Sequence, residues 1–69
     1  MTAQEMFEKV GYHKKYEMFG EILYEHEDYE TNYFVFEGNR KRVAVGSYHV
    51  TLDELKAINK QCQELGLFE

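Results

Sequence analysis

The chain has no proline, no tryptophan and a single cysteine in 69 residues. Each shortage excludes something. One cysteine, Cys62, permits no intrachain disulfide, and no Cys/His spacing reads as a zinc site. A lone thiol fits a reducing compartment. With no proline and no low-complexity stretch, nothing divides the chain, so residues 1–69 read as one domain. No apolar run approaches the length of a membrane span, and the first residues lack the charged-then-apolar order of a signal peptide. The expectation is a cytoplasmic protein without a membrane partner.

Positive charge is also scarce. Eight Lys and Arg stand against 13 Asp and Glu, a net charge of −5, which argues against a dedicated binder of phosphate backbones. Aromatic rings are plentiful: six Tyr and five Phe make up 16% of the chain. Rings at this density can fill a small core, provided buried phenols find hydrogen-bond partners.

Two helices are written in one grammar. Thr2-Ala3-Gln4-Glu5 is a capping box, followed by apolar Met6, Phe7 and Val10 at helical spacing and by Gly11 at the stop, which predicts a helix over 2–10. Thr51-Leu52-Asp53-Glu54 repeats the box. The stripe Leu52, Leu55, Ile58, Cys62, Leu65 then predicts a helix over 52–65 ended by Gly66, with Lys56, Lys60 and Glu64 on the solvent side.

Strands are expected between them, over 20–25, 29–37 and 40–49. Gly38-Asn39 reads as a two-residue hairpin loop, which sets Glu37 opposite Arg40, Phe34 opposite Val43 and Tyr29 opposite Tyr48. Phe34, Phe36, Val43 and Val45 then share a core face, joined by Ile22 and Tyr24 if the preceding turn is odd-numbered, such as His26-Glu27-Asp28. Residues 12–19 are a loop or an early extension of the first strand. The predicted fold is α+β, in the order α-β-β-β-α, a three-stranded antiparallel meander with two helices packed on one face.

The chemistry-bearing stretch is Tyr24–Glu30, YEHEDYE. A metal site is disfavoured, because neighbouring strand residues point to opposite faces and no calcium-loop spacing is present. An acid/base pair needs a cleft that raises one pKa, which a hairpin tip lacks. A solvated turn is the better reading. Cys62 lies on an apolar stripe and reads as a core residue, and His13 and His49 as surface histidines. No catalytic residue and no cofactor are expected. From Tyr16 to Glu37 come Glu17, Glu21, Glu25, Glu27, Asp28, Glu30 and Glu37 without one Lys or Arg, and then Arg40-Lys41-Arg42. The open sheet face is expected to carry Tyr29, Tyr33, Arg42 and Tyr48, residue types enriched at protein interfaces.

The ends MTAQEMFEKVGY and TLDELKAINKQCQELGLFE resemble small uncharacterised proteins of phages and prophages of Gram-positive bacteria. The resemblance covers both helices. It implies a phage origin and a bacterial cytoplasm, and transfers no activity. The expected function is a non-enzymatic protein-interaction module, as a homodimer or with a protein partner. Tyr29, Tyr33, Arg42 and Tyr48 would supply contact area, and Glu25, Glu27, Asp28 and Glu30 electrostatic steering. Two alternatives are an acidic decoy that imitates nucleic acid, and a weak nucleic-acid binder using Arg40, Lys41 and Arg42.

Overall fold

In the computed structural model, which describes residues 1–68, the order is α1 (Ala3–Lys9), β1 (Tyr12–Met18), β2 (Glu21–His26), β3 (Tyr33–Glu37), a 3-10 turn (Gly38–Arg40), β4 (Arg42–Val45) and α2 (Leu52–Glu64). The sheet is an antiparallel meander, β1-β2-β3-β4, with both helices on one face. The α+β class and the flanking helices are as expected, but the sheet has four strands rather than three.

Both capping boxes form. Thr2 accepts from the Glu5 amide at 3.2 Å while the Glu5 carboxylate accepts from the Thr2 amide at 2.7 Å. Thr51 and Glu54 do the same at 3.1 and 3.0 Å. The Thr2 hydrogen bonds hold the Glu5 carboxyl below its ordinary pKa. At the other end of α2 the Leu67 amide donates to the Cys62 carbonyl at 2.9 Å across Gly66, whose φ of 70° the left-handed closure needs.

The extra strand is the segment Tyr12–Met18. It turns into β2 through Phe19-Gly20, both at positive φ (52° and 77°), the geometry of a tight hairpin turn. Phe19 is 91% exposed at its tip. A bulge between Lys14 and Tyr16 flips the side-chain alternation, so Tyr12 enters the core while Tyr16 falls on the opposite face.

The β3–β4 register departs from expectation. Glu37 pairs with Arg42, Phe36 with Val43 and Phe34 with Val45, because the connection has four residues and Lys41 takes the left-handed cap at φ 52°. Gly38 does not make a two-residue turn; its amide donates to the Gly20 carbonyl at 2.9 Å, tying the two hairpin ends together. The displacement is two residues, an even number, so every side chain keeps its predicted face. Strand lengths shrink accordingly. Tyr29 and Tyr48 lie outside β3 and β4 and do not face each other. His26 belongs to β2, and the β2–β3 connection runs over 27–32.

The core is aromatic. Phe7, Tyr12, Ile22, Tyr24, Phe34, Phe36, Ala57 and Cys62 form one buried cluster. Phe7 stacks on Tyr24 at 4.1 Å and meets Phe34, Phe36 and Tyr12 at 5.5 to 6.1 Å. On α2 the buried face is Ala57, Gln61 and Cys62, whereas Leu52 and Leu55, expected in the core, are 76% and 53% exposed. The Gln61 side-chain carbonyl accepts from the buried Tyr24 hydroxyl at 2.6 Å. Ala57 and Gln61 share that face with Ile58, Cys62 and Leu65 of the expected stripe, while Leu52 and Leu55 lie in the first turn of α2. Glu64, read as a solvent residue, reaches α1 and accepts from the Ala3 amide at 2.9 Å.

Two outcomes follow for stability. Gln61→Ala leaves the Tyr24 hydroxyl unpaired and is expected to cost about 1–3 kcal/mol in urea denaturation, against a change within about 0.5 kcal/mol for exposed Lys56→Ala. Equal effects of the two would contradict the buried bond. Burial pushes the Tyr12 and Tyr24 hydroxyls up to about 12 from an ordinary 10.0, with the Glu54 charge adding to the shift at Tyr12 and the Glu64 charge at Tyr24. The unfolded chain therefore loses these protons at a lower pH than the native one. Stability is fully present below pH 10 and falls between pH 10 and 12, by about 1.4 kcal/mol per pH unit for each tyrosine. A urea midpoint unchanged from pH 8 to pH 11 would contradict this.

Candidate functional site

The face of the sheet opposite the helices is uncovered. Its middle row runs across the strands as Tyr16, Leu23, Val35 and Ala44, all half-buried. Beside it lies a charged row, Glu21 opposite Glu37 and Glu37 opposite Arg42. On the other side lie His13, Glu25 and Tyr33. Of the four residues expected on this face, Tyr33 and Arg42 are there. Tyr29 and Tyr48 sit in connections instead, 61% and 101% exposed. Tyr16 and Leu23 belong to the surface in their place. Leu23 was legible from its alternation with Ile22 and Tyr24; Tyr16 was hidden by the bulge.

Charges on this face are mostly engaged. Glu37 accepts from the Arg42 guanidinium at 3.1 Å and faces Arg40 at 3.9 Å, and the Arg42 hydrogen bond holds its carboxyl below the ordinary value. The Tyr16 hydroxyl donates to Glu21, which raises the phenol pKa. Lys15 lies 3.5 Å from Glu25, and Lys14 is 2.7 Å from Glu17. Glu17 pairs opposite core residue Ile22, on the other face from Glu21 and Glu25. The carboxylates thus do not form one continuous acidic surface. Glu27, Asp28 and Glu30 are exposed together in the 27–32 connection, at one end of the sheet.

The stretch Tyr24–Glu30 is accordingly divided. Tyr24 is core and Glu25 is on the open face. The His26 ring stands edge-on to Tyr12 at 5.0 Å and beside Tyr29 at 5.1 Å, and its Nδ1 accepts from the Asp28 amide at 3.1 Å. Among the described residues no three His, Cys, Asp or Glu side chains converge to hold a metal ion. The Cys62 thiol is 6% exposed and pushed up by burial, away from the thiolate that nucleophilic chemistry requires. No helix among the described residues is long and apolar enough to cross a membrane.

A second surface lies at β4 and beyond. Val45, Tyr48, Val50, Leu52 and Leu55 are each between 38% and 101% exposed, five large apolar side chains within eleven consecutive positions. No family model, no curated protein and no solved structure matches the chain.

Tyr33 is held on the open face by Gly46. A Cβ at Gly46 would come within 2.2 Å of the Tyr33 ring and 2.7 Å of the Thr31 carbonyl oxygen. Gly46→Ala is expected to swing the ring away and to destabilise the β3–β4 end by about 1–3 kcal/mol. The check is the Tyr33 ring resonances together with the urea midpoint. Unmoved resonances at unchanged stability would show that the ring does not rest there.

Proposed function

We propose that this protein is a small non-enzymatic interaction module that works by self-association. The observation that carries the reading is the exposure of Val45, Tyr48, Val50, Leu52 and Leu55, five large apolar side chains that the monomer leaves uncovered. A chain of this size draws only about 3–5 kcal/mol from its own core, so burying such side chains against a second copy adds stability where little is available. The pairing of Glu37 with Arg40 and Arg42 weighs against a nucleic-acid role for the basic triplet, since those guanidiniums already have a carboxylate. The fragmentation of the acidic residues weighs against the decoy reading. The resemblance of both helical ends to phage and prophage proteins supports a bacterial cytoplasm as the setting.

Sedimentation velocity across the micromolar to millimolar range tests the reading. The expected result is a monomer–dimer equilibrium whose weight-average mass rises toward twice 8.3 kDa. A mass that stays at the monomer value at millimolar concentration would refute it.

A further inference from the structure

The two edges of the sheet differ. β1 carries devices that blunt an edge, a bulge and the neighbouring Lys14 and Lys15. β4 is short and opens with Arg42, but it has no bulge, and between Arg42 and Gly46 the sequence is only Val43-Ala44-Val45. The Gly46 amide donates inward to the Tyr33 carbonyl at 2.9 Å. By the alternation of an antiparallel ladder, Ala44 and Arg42 also bond inward, and the N–H and C=O groups of Val43 and Val45 point out of the edge.

We propose that this edge pairs with the same edge of a second copy about a two-fold axis at Ala44, joining two four-stranded sheets into one of eight strands. The inference rests on the self-association reading and places the contact at Val45, the first of those exposed residues. Three features fit this occupant. First, the axis sets Val43 opposite Val45 of the other copy and Val45 opposite its Val43, so the outward groups satisfy one another reciprocally, as an isologous contact demands. Second, the side chains allow it. Ala44 meets Ala44 at the axis, Arg42 lies opposite Gly46, and exposed Val45 packs beside half-buried Val43 on the helix-side face. Third, the charges complement. Gly46 bonds to the first residue of β3, so the end of the sheet that holds Gly46 also holds Glu27, Asp28 and Glu30, while Arg40 and Arg42 mark the other end. Antiparallel docking turns the end of each copy where Arg40 and Arg42 share Glu37 toward the end of its partner that holds Glu27, Asp28 and Glu30. No acidic residue lies between Gly38 and Leu52 to oppose the approach.

The test is cysteine cross-linking with the full chain. In this pairing Ala44 is at a non-hydrogen-bonded position, where facing Cα atoms lie about 4.5 Å apart, close enough for a disulfide. Under mild oxidation Ala44→Cys is expected to give a covalent dimer. Val35→Cys, in the middle of the open face, is expected to give none. Val45→Lys is expected to raise the dimer dissociation constant at least about tenfold. Covalent dimer from Val35→Cys but not from Ala44→Cys would replace the edge by a face-to-face contact, and a Val45→Lys protein that dimerises normally would also sink the edge; self-association itself would stand in both cases. A wild-type chain that is monomeric at millimolar concentration ends both. Should Val45→Lys fail to fold, the two cysteine variants still decide.

Discussion

Phe7 lies against Tyr24 with ring centroids 4.1 Å apart and planes 21° from parallel, and the packing of both helices passes through that stack. Phe7 belongs to a helix of seven residues, too short to persist in water without tertiary contacts. Its ring supplies those contacts, touching Tyr12, Phe34 and Phe36 as well. Tyr24 carries the constraint onward. Its ring packs with Phe36 in the sheet, and its hydroxyl, whose burial costs free energy unless it is paired, reaches Gln61 on α2. One side chain thus touches both helices. In this packing Leu52 and Leu55, in the first turn of α2, stay exposed.

What could be read from the sequence was local or depended only on parity. Capping boxes are four-residue hydrogen-bond patterns, and the partners Thr2/Glu5 and Thr51/Glu54 lie only three positions apart in sequence. Strand faces depend on odd and even counting. Phe34, Phe36, Val43 and Val45 therefore stayed together when the β3–β4 register moved by two. What could not be read required contacts distant in sequence. Gly38 looked like a hairpin glycine but serves a close approach to Gly20, nearly twenty residues earlier, which no short window reveals. Tyr12 and Tyr16 are both even-numbered yet lie on opposite faces, because the bulge at Lys14 reverses the count. The strand β1 was obscured for the same reason. Likewise, of the apolar stripe Leu52, Leu55, Ile58, Cys62 and Leu65 the last three pack against the core, while Ala57 and Gln61 stand there in place of Leu52 and Leu55.

The candidate surface divides along the same line. Tyr33 and Arg42 were placed by parity, and both are on the open face. Tyr29 and Tyr48 were placed by a register that the four-residue connection abolishes. The acidic residues were counted as a block, but a count carries no geometry. Cross-strand pairing gives Glu37 to Arg42 and Glu25 to Lys15, whereas Glu27, Asp28 and Glu30 lie exposed in the 27–32 connection. Exposed ion pairs of this kind contribute about 0–1 kcal/mol each, so they shape the surface potential more than they hold the fold.

Sheet edges bring these threads together. A chain with a small core cannot add strands at will, and four strands leave two edges open to other chains. At β1 the lysines and the bulge make pairing costly. At β4 the edge is short, apolar and regular, flanked by charges that point to opposite ends of the sheet. After Arg42 the residues of this edge are Val-Ala-Val, with no bulge, lysine or proline among them. The asymmetry between the edges is the strongest physical reason to look to β4, rather than the tyrosine-bearing face, for the contact between copies. The open face then gains its importance from continuity, since pairing at β4 would extend the row Tyr16–Leu23–Val35–Ala44 without interruption across both copies.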